Sequence, residues 1–184
     1  VITVLLPLLF AAVASPADPR PSDPILRALV EGEAAQAQGD SASLGRKARM
    51  LSVLGAAPAR GQEDLAALWR RQAQGVGATG DMPPFRGRAL GPAYRRGSLV
   101  PGGSMTMRQL FLGGQRAQIM VAPVGEGSGH LSIRVEGAQG ETLCQKAVGG
   151  PQADCAWMPL FTDRYSIVIE NVGEASASFY LLVR

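Results

Sequence analysis

Two different periods divide the chain. From Asp23 to Gln74 the apolar residues recur at helical spacing, and beyond Leu99 they recur at every second position. Asp23-Pro24 predicts a helix start, because proline at the first helical position gives up only an N–H that would have no partner there. Ile25, Leu26, Leu29 and Val30 form the apolar stripe of this helix, which should end near Gly39. Asp40 or Ser41 can cap a second helix carrying Leu44, Ala48, Leu51 and Leu54, stopped by Gly55 and Pro58. A third helix is predicted from about Gln62 to Gln74, with Leu65, Leu68 and Trp69 on one face. All three stripes are narrow. The helical region, residues 24–74, is therefore expected to lean on the next domain or on a partner.

The second half reads as strands. Gln109-Leu110-Phe111-Leu112 ends one strand, and Gly113-Gly114 supplies a turn that accepts positive φ. Ala117, Ile119 and Val121 then alternate with Arg116, Gln118 and Met120, and Leu131, Ile133 and Val135 with Ser132, Arg134 and Glu136. Tyr165, Ile167 and Ile169 follow, and Phe179, Leu181 and Val183 close the series. Glycine-rich turns separate the runs, so about seven or eight short strands with one apolar face predict an antiparallel β-sandwich over residues 98–184. Between the halves, residues 75–97 are rich in Gly, Pro and Arg. Met82-Pro83-Pro84-Phe85 cannot continue a helix, so the stretch is expected to be a linker packed along the sandwich.

Composition adds a compartment. Residues 1–14 are uncharged and apolar but shorter than the roughly 20 residues a spanning helix needs. Small residues at Ala12 and Ala14, or at Ala17 after Ser15-Pro16, fit a signal-peptidase cut. Residues 1–14 are thus expected to be a signal peptide and 15–23, with three prolines, an extended lead-in. The expected location is periplasmic or secreted, with no integral membrane span after cleavage. Cys144 and Cys155 are the only cysteines. In an oxidising compartment their spacing favours a structural disulfide over two reduced thiols, and they form no C-x-x-C redox motif. The net charge of +3 comes mostly from arginine and is too small to imply a nucleic-acid partner.

Candidate chemistry is sparse. His130 is the only histidine, so a histidine-based metal cluster is excluded and any catalytic triad would have to use it. Gly75-Val76-Gly77-Ala78-Thr79-Gly80 matches a dinucleotide-binding pattern in letters only: a helix precedes it where a strand is required, and prolines follow where a helix must open. Carboxylates are scattered along the chain without a spacing that marks an acid–base pair. No catalytic residue, metal ligand or cofactor is assigned. The densest basic cluster is Arg86, Arg88, Arg95 and Arg96, interleaved with Phe85 and Tyr94, a candidate patch for an anionic ligand.

Residues 110–183 resemble the bacterial pre-peptidase C-terminal domain. The matching pieces, in order, are Leu112-Gly113-Gly114-Gln115-Arg116-Ala117, Leu131-Ser132-Ile133-Arg134-Val135, the Cys144 and Cys155 pair before Trp157-Met158-Pro159-Leu160, Tyr165 to Gly173, and Tyr180-Leu181. The resemblance implies a jelly-roll-like β-sandwich of the kind found on secreted proteins. It also implies architectural roles for Trp157, packed on the disulfide, for Tyr165, anchoring its strand through its hydroxyl, and for Asn171, turning the chain with Gly173. Some members of that family hold calcium at an Asp-x-Asp-Leu stretch. Here the equivalent residues are Ser128-Gly129-His130-Leu131, which lack the oxygen ligands a hard cation needs, so calcium binding is not implied. The function expected is an exported, non-catalytic binding or accessory module for an unidentified protein or cell-envelope component. The alternatives are a chaperone-like partner of a separately encoded secreted hydrolase and, less favoured, a hydrolase using His130 or a carboxylate pair.

Overall fold

The computed structural model describes residues 20–75, 91–125 and 130–184; the expected signal segment, most of the expected lead-in and residues 76–90 of the expected linker lie outside them. Three helices come first: α1 (Pro24–Gln38), α2 (Ser41–Val53) and α3 (Leu65–Gln74), with a two-residue strand β1 (Ala57–Pro58) between the last two. Their ends follow from local chemistry. The Asp23 carboxylate accepts from the backbone N–H groups of Ile25 (2.9 Å) and Leu26 (3.1 Å), which would otherwise have no partner. Gly39, at φ 68°, ends α1 in the left-handed conformation, and Asp40 then caps α2 by accepting from the Ser43 N–H at 2.9 Å. Asp64 caps α3 through the Ala67 N–H, so this helix starts at Leu65 and not at Gln62.

Eight further strands build the sandwich: β2 (Ala93–Leu99), β3 (Ser104–Phe111), β4 (Ala117–Val124), β5 (Leu131–Glu136), β6 (Thr142–Val148), β7 (Ala153–Trp157), β8 (Asp163–Asn171) and β9 (Ala177–Val183). Within the sheets β2 pairs with β9, β3 with β8, β4 with β7 and β5 with β6, all antiparallel. These are the nested pairs of one long folded ribbon. Folding it over itself places alternate pairs in two sheets, β1-β2-β9-β4-β7 and β3-β8-β5-β6, which is the jelly-roll arrangement. Successive strand residues point to opposite faces, so Ile119, Val121, Phe179 and Leu181 of one sheet meet Ile133, Val135, Ile167 and Ile169 of the other in a common core.

The linker expected over residues 75–97 is too long at its C-terminal end. Residues 93–97 belong to β2, which pairs with β9 along its whole length. The reason lies far away in sequence. Gly97 faces Phe179, and a Cβ at Gly97 would come within 2.5 Å of that ring, so the glycine that looks like linker makes room for a core aromatic. The helices pack on the sandwich. The outward side of β4 and β9 carries Met120, Ala122, Tyr180 and Leu182, and these are buried under Ile25, Leu26, Leu29, Leu51 and Trp69. Trp69 in turn lies on Gly32, where any side chain would overlap its ring, and its indole N–H donates to Gln36 at 3.0 Å.

Asn171, 2% exposed, ties the turns at one end of the sandwich. Its amide donates to the carbonyls of Leu99 (3.2 Å), Val100 (3.2 Å) and Ala175 (2.7 Å), and its side-chain oxygen accepts from the Gly173 N–H (3.1 Å). The crossover from β2 to β3, where the chain changes sheets, is thereby held to the β8–β9 turn. Asn171→Ala is expected to lower folding stability by about 2–4 kcal/mol, since the buried Leu99 carbonyl and the part-buried Val100 and Ala175 carbonyls lose their donor. Val172→Ala, on the exposed side of the same turn, should change it little; urea denaturation of both variants checks this. Opening the Cys144–Cys155 bridge with a reductant is expected to cost about 3 kcal/mol through the loop it closes, read in the same assay.

Candidate binding surface

Arg95 and Arg96 are neighbours on β2 and therefore point to opposite faces. Arg96 points toward the helices and forks onto Glu33 of α1, Nε to Oε2 at 3.0 Å and Nη2 to Oε1 at 2.5 Å. The Tyr180 hydroxyl donates to the same carboxylate at 2.7 Å, and the Arg96 N–H donates to Gln62 at 2.9 Å. Burial pushes the Glu33 carboxyl up, but the hydrogen bonds from Arg96 and Tyr180 and the Arg96 charge outweigh it and hold it below its ordinary value. Burial and the adjacent carboxylate raise the Tyr180 hydroxyl, and burial pushes Tyr94 up to about 12. The Tyr94 oxygen accepts from the Leu65 N–H at 2.8 Å, fixing the start of α3 to β2. Arg95 turns inward instead, and its Nε is buried without a hydrogen-bond partner. The two arginines thus form no common patch, and Arg96 is committed to an internal ion pair. Arg86 and Arg88 lie outside the described residues.

The disulfide closes between Cys144 and Cys155, with their Cα atoms 5.9 Å apart. Cys144 is on β6 and Cys155 on β7, so the bridge joins the edges of the two sheets and not two strands of one sheet. Two residues beyond it, Trp157 meets Phe111 edge to face at 4.9 Å and Tyr165 at 5.5 Å, and Phe111 meets Tyr165 at 5.8 Å. Tyr165 thus anchors β8 through its ring. The Trp157 N–H is buried without a hydrogen-bond partner.

On this aromatic base stands a turn that sequence reasoning did not single out as a surface. Met158, Leu160 and Phe161 are 59%, 84% and 79% exposed. The turn is held rather than loose: the Gly114 N–H donates to the Pro159 carbonyl at 2.8 Å, and the Gly113 N–H to the Thr162 hydroxyl at 3.0 Å. A Cβ at Gly113 would meet the Leu160 and Phe161 backbone at 3.0 Å, a tight contact, so a side chain there would crowd the turn. Leu110, also exposed, faces outward from β3 opposite Arg164 of β8. Arg108, Arg116 and Arg164 flank the turn, and among the described residues no carboxylate pairs with any of their guanidinium groups. Asp163 is the acid beside them, and it accepts from the Arg164 backbone N–H.

Other surfaces show less chemistry. His130 is exposed at the start of β5, where its carbonyl accepts from the Val172 N–H at 2.9 Å; Ser128 lies outside the described residues. Among the described residues no group of three or more His, Cys, Asp or Glu side chains is placed to hold a metal ion. An open groove of about 320 Å³ runs between α1 and α2, bordered by Glu31, Ala35, Asp40, Ser43, Arg46 and Lys47. The Lys47–Glu31 ion pair spans it.

No protein-family model and no curated protein sequence matches the chain. Solved structures similar to it include the pre-peptidase C-terminal domain of a collagenase from Bacillus anthracis, at 14% identity and TM-score 0.40, covering 50% of this chain and 87% of that one. A periplasmic inhibitor of g-type lysozyme from Aeromonas hydrophila is similar at 16% identity and TM-score 0.37, over 50% of this chain and 83% of that one. A carbohydrate-binding module of Cellvibrio mixtus lichenase 5A is similar at 10% identity and TM-score 0.31, over 50% and 86%. The domain that residues 110–183 resemble is thus among these β-sandwiches, and likeness at this level says nothing of what the chain binds.

The Glu33 joint has a measurable pH signature. A carboxylate whose folded value lies below the ordinary 4.5 contributes stability that is complete above that value and is lost as pH falls through the folded one. Glu33→Gln is therefore expected to cost about 1–2 kcal/mol at neutral pH, and the gap to the parent should narrow below pH 4.5. Denaturant melts of both proteins across that acid range test the sign.

Proposed function

We propose that this chain is an exported, non-catalytic binding module whose contact surface is the sandwich end carrying Met158, Leu160 and Phe161. The observation that carries this reading is the rigid apolar turn itself. Soluble domains rarely expose adjacent large apolar side chains, and a contiguous apolar set rimmed by polar residues marks an interaction surface. The Cys144–Cys155 bridge favours an oxidising compartment, and residues 1–14 serve in this reading as the export signal. The partner belongs to the cell envelope, either a protein or the surface itself.

Cell fractionation of the natural host tests the reading. The protein is expected outside the cytoplasm with its cysteines bridged, and partly retained on the envelope. Leu160→Ser/Phe161→Ser should release it into the soluble exported fraction by about tenfold, because two apolar contacts are removed, while Val172→Ser at the opposite end should not. A cytoplasmic location, or equal retention of all three proteins, would overturn it.

A further inference from the structure

The three apolar side chains stand exposed at the β7–β8 turn, with Leu160 and Phe161 at successive positions and among the most exposed large apolar side chains. A protein partner would need a pocket shaped to receive them, as close-packed interfaces do. A bilayer interface takes an exposed apolar wedge without such matching. The charges around the wedge favour the bilayer as well. Arg116 directly precedes β4, Arg164 is the second residue of β8, and Arg108 lies two residues before Leu110 on the same outward face of β3. Their guanidinium groups have no carboxylate partner among the described residues, and Asp163 is the one acid of the turn's own rim. Trp157, half-buried at the foot of the turn, directly precedes Met158 and so reports on what the tip enters.

From this geometry we infer that the Met158–Phe161 turn inserts into the interfacial layer of an anionic phospholipid bilayer, with Arg108, Arg116 and Arg164 meeting the headgroup phosphates. This rests on the reading of the same sandwich end as the module's contact surface. Insertion is shallow, on the order of 5–10 Å, as for other interfacial apolar elements. Because the arginines sit at the water boundary, their attraction is screened by salt within a Debye length.

The test uses the purified, disulfide-bridged chain and vesicles of phosphatidylethanolamine with phosphatidylglycerol, against phosphatidylcholine alone. Co-sedimentation is expected on the anionic vesicles, weakening as salt is raised and about tenfold or more weaker for Leu160→Ser/Phe161→Ser. The Arg108→Gln/Arg116→Gln/Arg164→Gln variant should bind weakly and lose the salt dependence. Brominated acyl chains should quench the emission of Trp157, with Trp69, buried beneath the helices, as the unquenched reference left in Trp157→Phe. The Leu160, Phe161 and three arginine side chains are at the surface, and thermal melts verify that all the variants, Trp157→Phe included, stay folded. Absence of binding to anionic vesicles, binding insensitive to the Leu160 and Phe161 changes, or no quenching would overturn the inference. If vesicles are ignored while envelope retention in cells still depends on the turn, the lipid inference fails and the binding-module reading stands with a protein partner.

Discussion

The sheet that contains β4 and β9 must be covered on both sides. Ile119, Val121, Phe179 and Leu181 point into the sandwich, and the residues between them, Met120, Ala122, Tyr180 and Leu182, are nearly as apolar and point out. Left in water, that outer side would be a contiguous apolar surface of the kind that drives association. The three helices, 15, 13 and 10 residues long, are at the margin for helices that hold themselves together in isolation. Each part lacks what the other supplies. The joint is then fixed in register by polar contacts at its margins: Arg96 and Tyr180 on Glu33, the Tyr94 oxygen at the start of α3, and Arg184 of the last residue on the Asp23 cap at 2.8 Å.

With that side occupied, the rest of the surface is narrowed by the same logic. The outer face of the other sheet is polar, with Arg134 set between Glu136 at 2.9 Å and Glu170 at 3.4 Å. Toward the β7–β8 end the same face also carries Leu110, Arg108 and Arg164. One flank of the sandwich is stapled by the disulfide between β6 and β7. The turns at one end are locked by Asn171, whose amide joins the β2–β3 crossover to the β8–β9 turn. The opposite end, where β7 passes to β8 over the Phe111–Trp157–Tyr165 cluster, keeps its apolar residues outside.

What could be read from the sequence was whatever is encoded locally. The period-two runs from Ala117 to Val183 and the Asp23-Pro24 and Gly39-Asp40 signals carry their structural meaning within a few residues. β2 was not legible, because Tyr94-Arg95-Arg96-Gly97 is a strand for non-local reasons. Its arginine is consumed by Glu33, 63 residues earlier, and its glycine is required by Phe179. An arginine cluster read along the chain assumes a shared face, and a strand denies that to adjacent residues. The Met158-Pro159-Leu160-Phe161 turn was hidden for the opposite reason: apolar letters after a strand read as more core, and only the three-dimensional placement turns them outward.

Exposure alone does not make those residues a surface, since single apolar side chains are common on soluble proteins. Val53, Val100, Leu143 and Val172 are exposed here too, each on a different turn or element. The β7–β8 turn differs in that three such residues fall within four positions, with Leu110 on the sheet face nearby. It differs also in rigidity. Gly114 binds its backbone at Pro159, Gly113 binds the Thr162 hydroxyl, Pro159 restricts it further, and three interlocked rings support it from below. Ordering a loop on contact usually consumes much of the free energy that contact releases. Here that ordering is completed when the sandwich folds, so nearly all the apolar surface covered at the tip is available to hold whatever covers it.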